Sequence, residues 1–340
     1  MSDDAPYASP RTIEAGFAGL GLTPRQAGYR CWDVSTSFTD TAGMSARLEG
    51  GWLLLDMPCN GTGRDRPERD LLAWNGLLAG GAKFALAPSD RTVRVRAEIP
   101  FEDDPDLHAL LAEALEGFRQ AQQVLREGSI SAPAPDGPAA PPSASRSEPA
   151  GARLADLATE VGWPFVTRSS ERLAVELDGG RTFHQAILEE YSGGAIRATV
   201  ELVSWDSASP ESSAALAVLL LATGGLVRLA RPVLEDSGAG VGARFEVRSS
   251  ALRTPAWLGR ALSALSVACR LCGREAAVLA DAGIARDYLA LRGLGVHRPE
   301  TGAPPPEREA APQHPPAAAF RHPAGGGLEH TERNASNGKA

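Results

Sequence analysis

The chain has almost no lysine. Lys83 and Lys339 are the only two in 340 residues, and arginine makes up the rest of the 34 basic side chains against 42 acidic ones. The net charge of −8 leaves no basic excess, which excludes binding to a nucleic-acid phosphate backbone, a role that needs clustered cations. Cysteine is scarce as well, and four residues do not make a disulfide framework. The longest unbroken apolar run, Ala214 to Ala222, is nine residues. A membrane helix needs about 20, so no membrane insertion is expected. The opening Met1-Ser2-Asp3-Asp4 carries acid where a secretory signal needs positive charge, and the expected location is cytoplasmic.

What the chain does have is apolar content, 43%, with 36 glycines and 26 prolines. Much of the proline lies in two stretches. Residues 129–150 hold six prolines and almost no large apolar side chain, too little surface to offset the entropy of ordering them. They read as a linker. Residues 293–340 are again rich in proline, with a Gly325-Gly326-Gly327 run, and read as a disordered tail. Between a short N-terminal tail (1–10), this linker and this tail lie two blocks able to build cores, 11–128 and 151–292.

The two blocks are copies of one unit. Ile13, Gly16 and Leu20 match Leu154, Leu157 and Val161, and Trp32, Val34 and Thr36 match Leu173, Val175 and Leu177, both at an offset of 141. Gly50-Gly51 matches Gly193-Gly194 and Pro67-Glu68 matches Pro210-Glu211 at 143. Gly80-Gly81 pairs with Gly224-Gly225 at 144, and Asp104-Pro105 with Thr254-Pro255 at 150. The offset only rises, as insertions in loops would make it. Each unit reads as α-β-β-β-α-β-β-α: an amphipathic helix, strands of period two, a Gly-Gly hairpin, a central helix opening on proline and closing at Gly-Gly, a second hairpin and a long helix. The expected class is α+β, each unit an antiparallel sheet with helices on one face.

This element order, in acidic units of this size, resembles the class I type III secretion chaperones and the related YbjN-like proteins. The resemblance covers both blocks but neither linker nor tail, and it rests on element order rather than on a signature peptide. It implies a non-catalytic protein that holds an extended or amphipathic segment of a partner against apolar surface, without a cofactor. Family members usually pair two copies. Here both copies sit in one chain, which implies an intramolecular pseudodimer that is monomeric in solution. A scaffold that uses the duplicated unit for assembly is the alternative, and an enzyme with a site between the repeats a remoter one.

No residue pattern assembles a catalytic centre. Cys269 and Cys272 form a Cys-x-x-Cys well inside a helix, where no dipole activates them, and zinc would need a second pair. They read as buried structural thiols. The loop Asn60 to Arg66 lacks the lysine and spacing of a phosphate loop. The acids Glu102, Asp103, Asp104 and Asp106 suit a helix start rather than a calcium loop. His108 and His184 stand alone. No cofactor, metal ligand or catalytic residue is therefore assigned.

The helix around Ser213–Thr223 is apolar nearly all round and must be buried on more than one side. Its Leu216, Leu219 and Leu220 are expected to meet Leu71, Trp74 and Leu78 of the first repeat's central helix. Tryptophan is over-represented among binding hot spots, and Trp52, Trp163 and Trp205 are the candidates for gripping a partner.

Overall fold

The computed structural model describes residues 10–36, 43–59, 67–87, 92–100, 107–128, 150–169, 171–180, 182–190, 195–205, 208–236, 241–249 and 254–292. These belong to one compact unit ending at His297. Residues 1–9 of the N-terminal tail, residues 129–149 of the linker, the C-terminal tail, the Asn60–Arg66 loop, the acids from Glu102 to Asp106 and the Gly193-Gly194 turn lie outside the described residues, while Pro10 and Ala150, read as tail and linker, begin helices.

The first repeat opens with α1 (Pro10–Gly19), whose Ile13 and Phe17, one turn apart, are buried. Four strands follow: β1 (Thr23–Gly28), β2 (Cys31–Ser35), β3 (Met44–Glu49) and β4 (Trp52–Pro58). Period-two alternation sends Trp32, Val34, Met44, Ala46 and Leu48 inward. The β3–β4 hairpin turns on Gly50 and Gly51, with φ of 54° and 76°, the left-handed conformation that favours glycine in a tight hairpin. Then come α2 (Glu68–Asn75), β5 (Lys83–Leu86), β6 (Val93–Pro100) and α3 (Leu107–Glu127). The second repeat runs α4 (Ala150–Val161), β7 (Phe165–Ser169), β8 (Arg172–Asp178), β9 (Phe183–Glu190), β10 (Ile196–Ser204), α5 (Pro210–Leu226), β11 (Arg231–Asp236), β12 (Val241–Ser249) and α6 (Pro255–Val278), with one further helix, α7 (Ala282–Leu291).

Both sheets are six-stranded and antiparallel, in orders β1-β2-β3-β4-β6-β5 and β7-β8-β9-β10-β12-β11. The duplication is therefore visible in the pairing register. Trp32 lies opposite Ala46, as Leu173 lies opposite Leu188. Ala46 faces Leu55 as Leu188 faces Ala198. Leu55 faces Ala97 as Ala198 faces Val247.

Three details differ from the sequence reading. Each sheet has one strand more, β1 and β7, because nearly all their side chains are exposed and edge strands of this kind carry no hydrophobic alternation. The central helices do not close at the Gly-Gly pairs: α2 stops at Asn75, and α5 runs through Gly224 and Gly225 to Leu226. The glycine pairs matched at 144 therefore lie in different local structure, a turn in the first repeat and a helix in the second, and the strand that follows α5 starts at Arg231. Finally, α7 follows α6, capped by Asp281 through the backbone N–H groups of Gly283 and Ile284, and it packs on α5.

The caps follow residue chemistry. Ser209 Oγ accepts from Ser212 N at 3.1 Å at the start of α5, and Thr254 Oγ1 from Trp257 N at 3.2 Å at the start of α6. No described helix is long and apolar enough to cross a membrane.

Candidate functional site

The central helices trade places. Each makes its larger sheet contact with the edge strand of the other repeat, α5 on β5 and α2 on β11, and the two helices also touch each other. The two glycines in α5 let it lie close to both edge strands, Gly225 to that of the first repeat and Gly224 to that of its own. A Cβ at Gly225 would overlap the carbonyl oxygen of Leu86 in β5, and one at Gly224 would lie 2.7 Å from the ring of Pro232 in β11. With no polar face, α5 is buried from Ala215 to Leu221, between the first repeat on one side and α6 and α7 on the other. Leu71, Trp74, Leu78, Leu216, Leu219 and Leu220 are all buried, in one hydrophobic cluster that runs through both repeats.

A buried polar seam accompanies this core. The Lys83 ammonium, 0% exposed, donates to Val227 O at 2.7 Å and Ala230 O at 3.1 Å across the seam, and pairs with Glu98 of its own sheet at 3.0 Å. Three donors meet three acceptors. Burial pulls the Lys83 pKa below the ordinary lysine value, and Glu98 opposes the shift. Arg231 is its counterpart in the second repeat. It bonds Glu246 at 2.6 Å and reaches across to Leu78 O at 2.8 Å, with Gly80 O and Ala82 O each at 3.3 Å. Arg96, held by Asp56 at 2.8 Å, donates to Gly225 O at 2.7 Å. The last carbonyls of a helix lack intrahelical donors and carry its negative dipole end. Around the end of α5 and in the turn after α2, cations of the other repeat supply those donors.

At one end of the seam the surface opens into a cleft of about 450 Å³. Its walls include Trp52 of β4, the turn Leu226–Leu229 and one face of α6. The lining is mainly apolar, with Leu226, Leu229, Ala264 and Val267 among its residues. Two guanidiniums sit over the indole of Trp52, Arg228 at 5.4 Å and Arg260 at 5.8 Å from the ring centroid. Arg228 also pairs with Glu49 at 3.0 Å. Leu229 holds a φ of 63°, uncommon for a side chain of this size, and its N–H donates to Glu98 Oε2 at 3.3 Å. The seam thus holds the cleft wall in place.

Of the three candidate tryptophans, one lies here. Trp52 lines the cleft, while Trp163 is half-buried against the second repeat's core. Trp205 is only 3% exposed, so it packs inside and offers no surface to a partner; its position past the end of β10 turns it into the core. Cys269 and Cys272 are buried in α6, and burial pushes both thiols up to about 12. Among the described residues no group of His, Cys, Asp and Glu is placed to hold a metal ion. Comparison of the chain with family models, with curated proteins and with solved structures finds no match.

Sequence reasoning missed Lys83, Arg231, Arg228 and Arg260. For Lys83 a signal was present: one of only two lysines in an arginine-rich chain stands in a strand. The other three are arginines among many, and nothing in their spacing sets them apart.

Proposed function

We propose that this protein is a non-catalytic binding module, chaperone-like in the manner of the type III secretion chaperones it resembles, which holds an amphipathic segment of another protein. The observation that carries this reading is the cleft at the seam of the repeats. It joins an exposed stripe along α6, where Arg260, Ala264, Val267 and Leu271 recur at the three- and four-residue spacing of one helix face. Val267 and Leu271 are each more than 40% exposed, and Leu226 beside them is 60% exposed. A row of apolar side chains next to paired guanidiniums fits a partner helix with apolar anchors and an acidic flank, a recurring mode of peptide recognition. The duplicated unit then supplies within one chain the two-copy platform that such chaperones build by dimerising, and the chain works as a monomer.

Selection from a displayed library of random peptides on the intact protein tests the proposal. Enriched peptides are expected to carry two or three large apolar residues at helical spacing with Asp or Glu beside them. Trp52→Ala and Arg260→Glu are expected to weaken their binding at least about tenfold, roughly the cost of losing one buried hot-spot contact. Failure to enrich any common pattern, or binding indifferent to both substitutions, sinks the idea.

A further inference from the structure

The two faces of the seam are built on equivalent positions but carry their charges in opposite order. In the first sheet Lys83 lies opposite Arg96, and in the second Arg231 lies opposite Glu246. The lysine and the arginine are therefore counterparts, and Arg96 corresponds to Glu246. Two residues further on the same face, Glu98 corresponds to Arg248. Along the sixth strand the first repeat reads Arg-x-Glu and the second reads Glu-x-Arg.

We infer that this reversal makes the second repeat selective: its seam accepts the first repeat and rejects a second copy of itself, so that the chain is a covalently joined heterodimer rather than a fused homodimer. The contacts that end α5 carry the argument. Gly225 O takes its hydrogen bond from Arg96 at 2.7 Å, and Leu229 N–H gives its own to Glu98 at 3.3 Å. With another second repeat in the first one's place, Gly225 O faces the Glu246 carboxylate and Leu229 N–H faces the Arg248 guanidinium. Acceptor then meets acceptor and donor meets donor inside a buried seam, where an unmade hydrogen bond is costly.

A third contact points the same way. Asn75 at the end of α2 donates to Pro232 O at 2.8 Å. Counting from the matched prolines 67 and 210, its counterpart in α5 is Val218, inside the unbroken apolar run Ala214 to Ala222. In a pairing of two second repeats no amide is available, and Pro232 O loses its donor. The first repeat's own turn carbonyls, by contrast, are compatible with either Lys83 or Arg231, so the discrimination belongs to the second repeat.

The test uses the full chain with a protease site inserted within residues 129–149, cut after folding. Light and isotope-labelled cut protein are mixed in mild urea until pairs of first and second repeats contain both labels, and all pairs are weighed by native mass spectrometry. The expected result is label mixing with pairs of two second repeats nearly absent. Their appearance at the statistical share overturns the inference. In the double variant Glu246→Arg/Arg248→Glu the second repeat takes the first repeat's charge order, and such pairs are expected to rise at least about tenfold. An unchanged share in a variant that still pairs with the first repeat also overturns it.

Discussion

The side-chain amide of Asn75 bridges two edge strands that belong to different sheets. Its Oδ1 accepts from Phe84 N at 2.6 Å, and its Nδ2 donates to Phe84 O at 3.1 Å and to Pro232 O at 2.8 Å. Phe84 is nine residues away in sequence and Pro232 is 157 away. Edge strands carry backbone groups that invite further pairing, and proline on such a strand has no N–H to offer. One buried amide satisfies what would otherwise be a ragged meeting of β5 and β11.

Replacing Asn75 therefore separates acceptor from donor roles. Asn75→Ala leaves the Phe84 N–H and two carbonyls without this partner and is expected to cost about 2–3 kcal/mol. Asn75→Asp keeps the acceptor for Phe84 N–H but turns an oxygen toward the Pro232 and Phe84 carbonyls in a buried site, and should cost more than alanine. Urea midpoints at unchanged slope measure both, and an aspartate variant as stable as wild type contradicts this account.

Gly225→Ala should be far more damaging than its propensity suggests. Alanine is the better helix former by roughly 1 kcal/mol, yet its Cβ would overlap the Leu86 carbonyl oxygen. Backbone must move on backbone, so a net loss of about 2 kcal/mol or more is expected. Hydrogen exchange should show faster opening of β5 and the end of α5 than in wild type. A stabilised variant means that the helix does not lie this close to the strand.

Lys83→Met strands the Glu98 carboxylate, only 4% exposed, without its cation. Breaking a buried pair from one side costs about 3–5 kcal/mol. Lys83→Met/Glu98→Leu should recover part of that loss, and only part, because Leu229 N–H and the carbonyls of Val227 and Ala230 also lose partners. The wild type carries a pH signature. Burial holds the Lys83 pKa below its unfolded value of about 10.4, so between the two values the unfolded chain binds more protons and stability rises with pH. Below the folded value both states are charged and the slope vanishes. Subtracting the Lys83→Met curve from the wild-type curve isolates this rise, and a falling difference would refute it.

Cys59, Cys269 and Cys272 are buried, and burial pushes each thiol up to about 12, so at pH 8 almost none is thiolate. Iodoacetamide should modify half-buried Cys31 in the folded protein and leave the other three, whereas all four react in urea. Replacing Cys269 and Cys272 together by alanine should cost only a modest amount of stability. Stoichiometric zinc in the purified protein would overturn their structural role.

Much of this architecture was legible because it is written in local periodicity. Trp32 and Val34 alternate into the core, Gly50 and Gly51 mark a hairpin, Ser209 and Thr254 cap helices, and the matching punctuation exposes the repeat. The apolar run of α5 announced burial on several sides, although the surfaces that cover it include the opposite edge strand and α7 as well as the matching helix α2. Strands β1 and β7 stayed hidden because exposed edge strands carry no apolar alternation, and Gly224-Gly225 passed for a helix stop because glycine most often means one. Here the pair is a flat place for a strand to lie.

By itself the sequence determined most of the buried helices and strands and the duplication of the unit, since each of these depends on periodicity and punctuation among residues near one another along the chain. The tertiary structure alone decided that each central helix crosses to the other repeat's edge strand, that Lys83 and Arg231 end buried on each other's turns, and that Trp52 meets Arg228 and Arg260 at a cleft. Those outcomes join residues more than a hundred positions apart, and burial selects among them: a cation leaves water only where carbonyls and a carboxylate are already arranged to receive it.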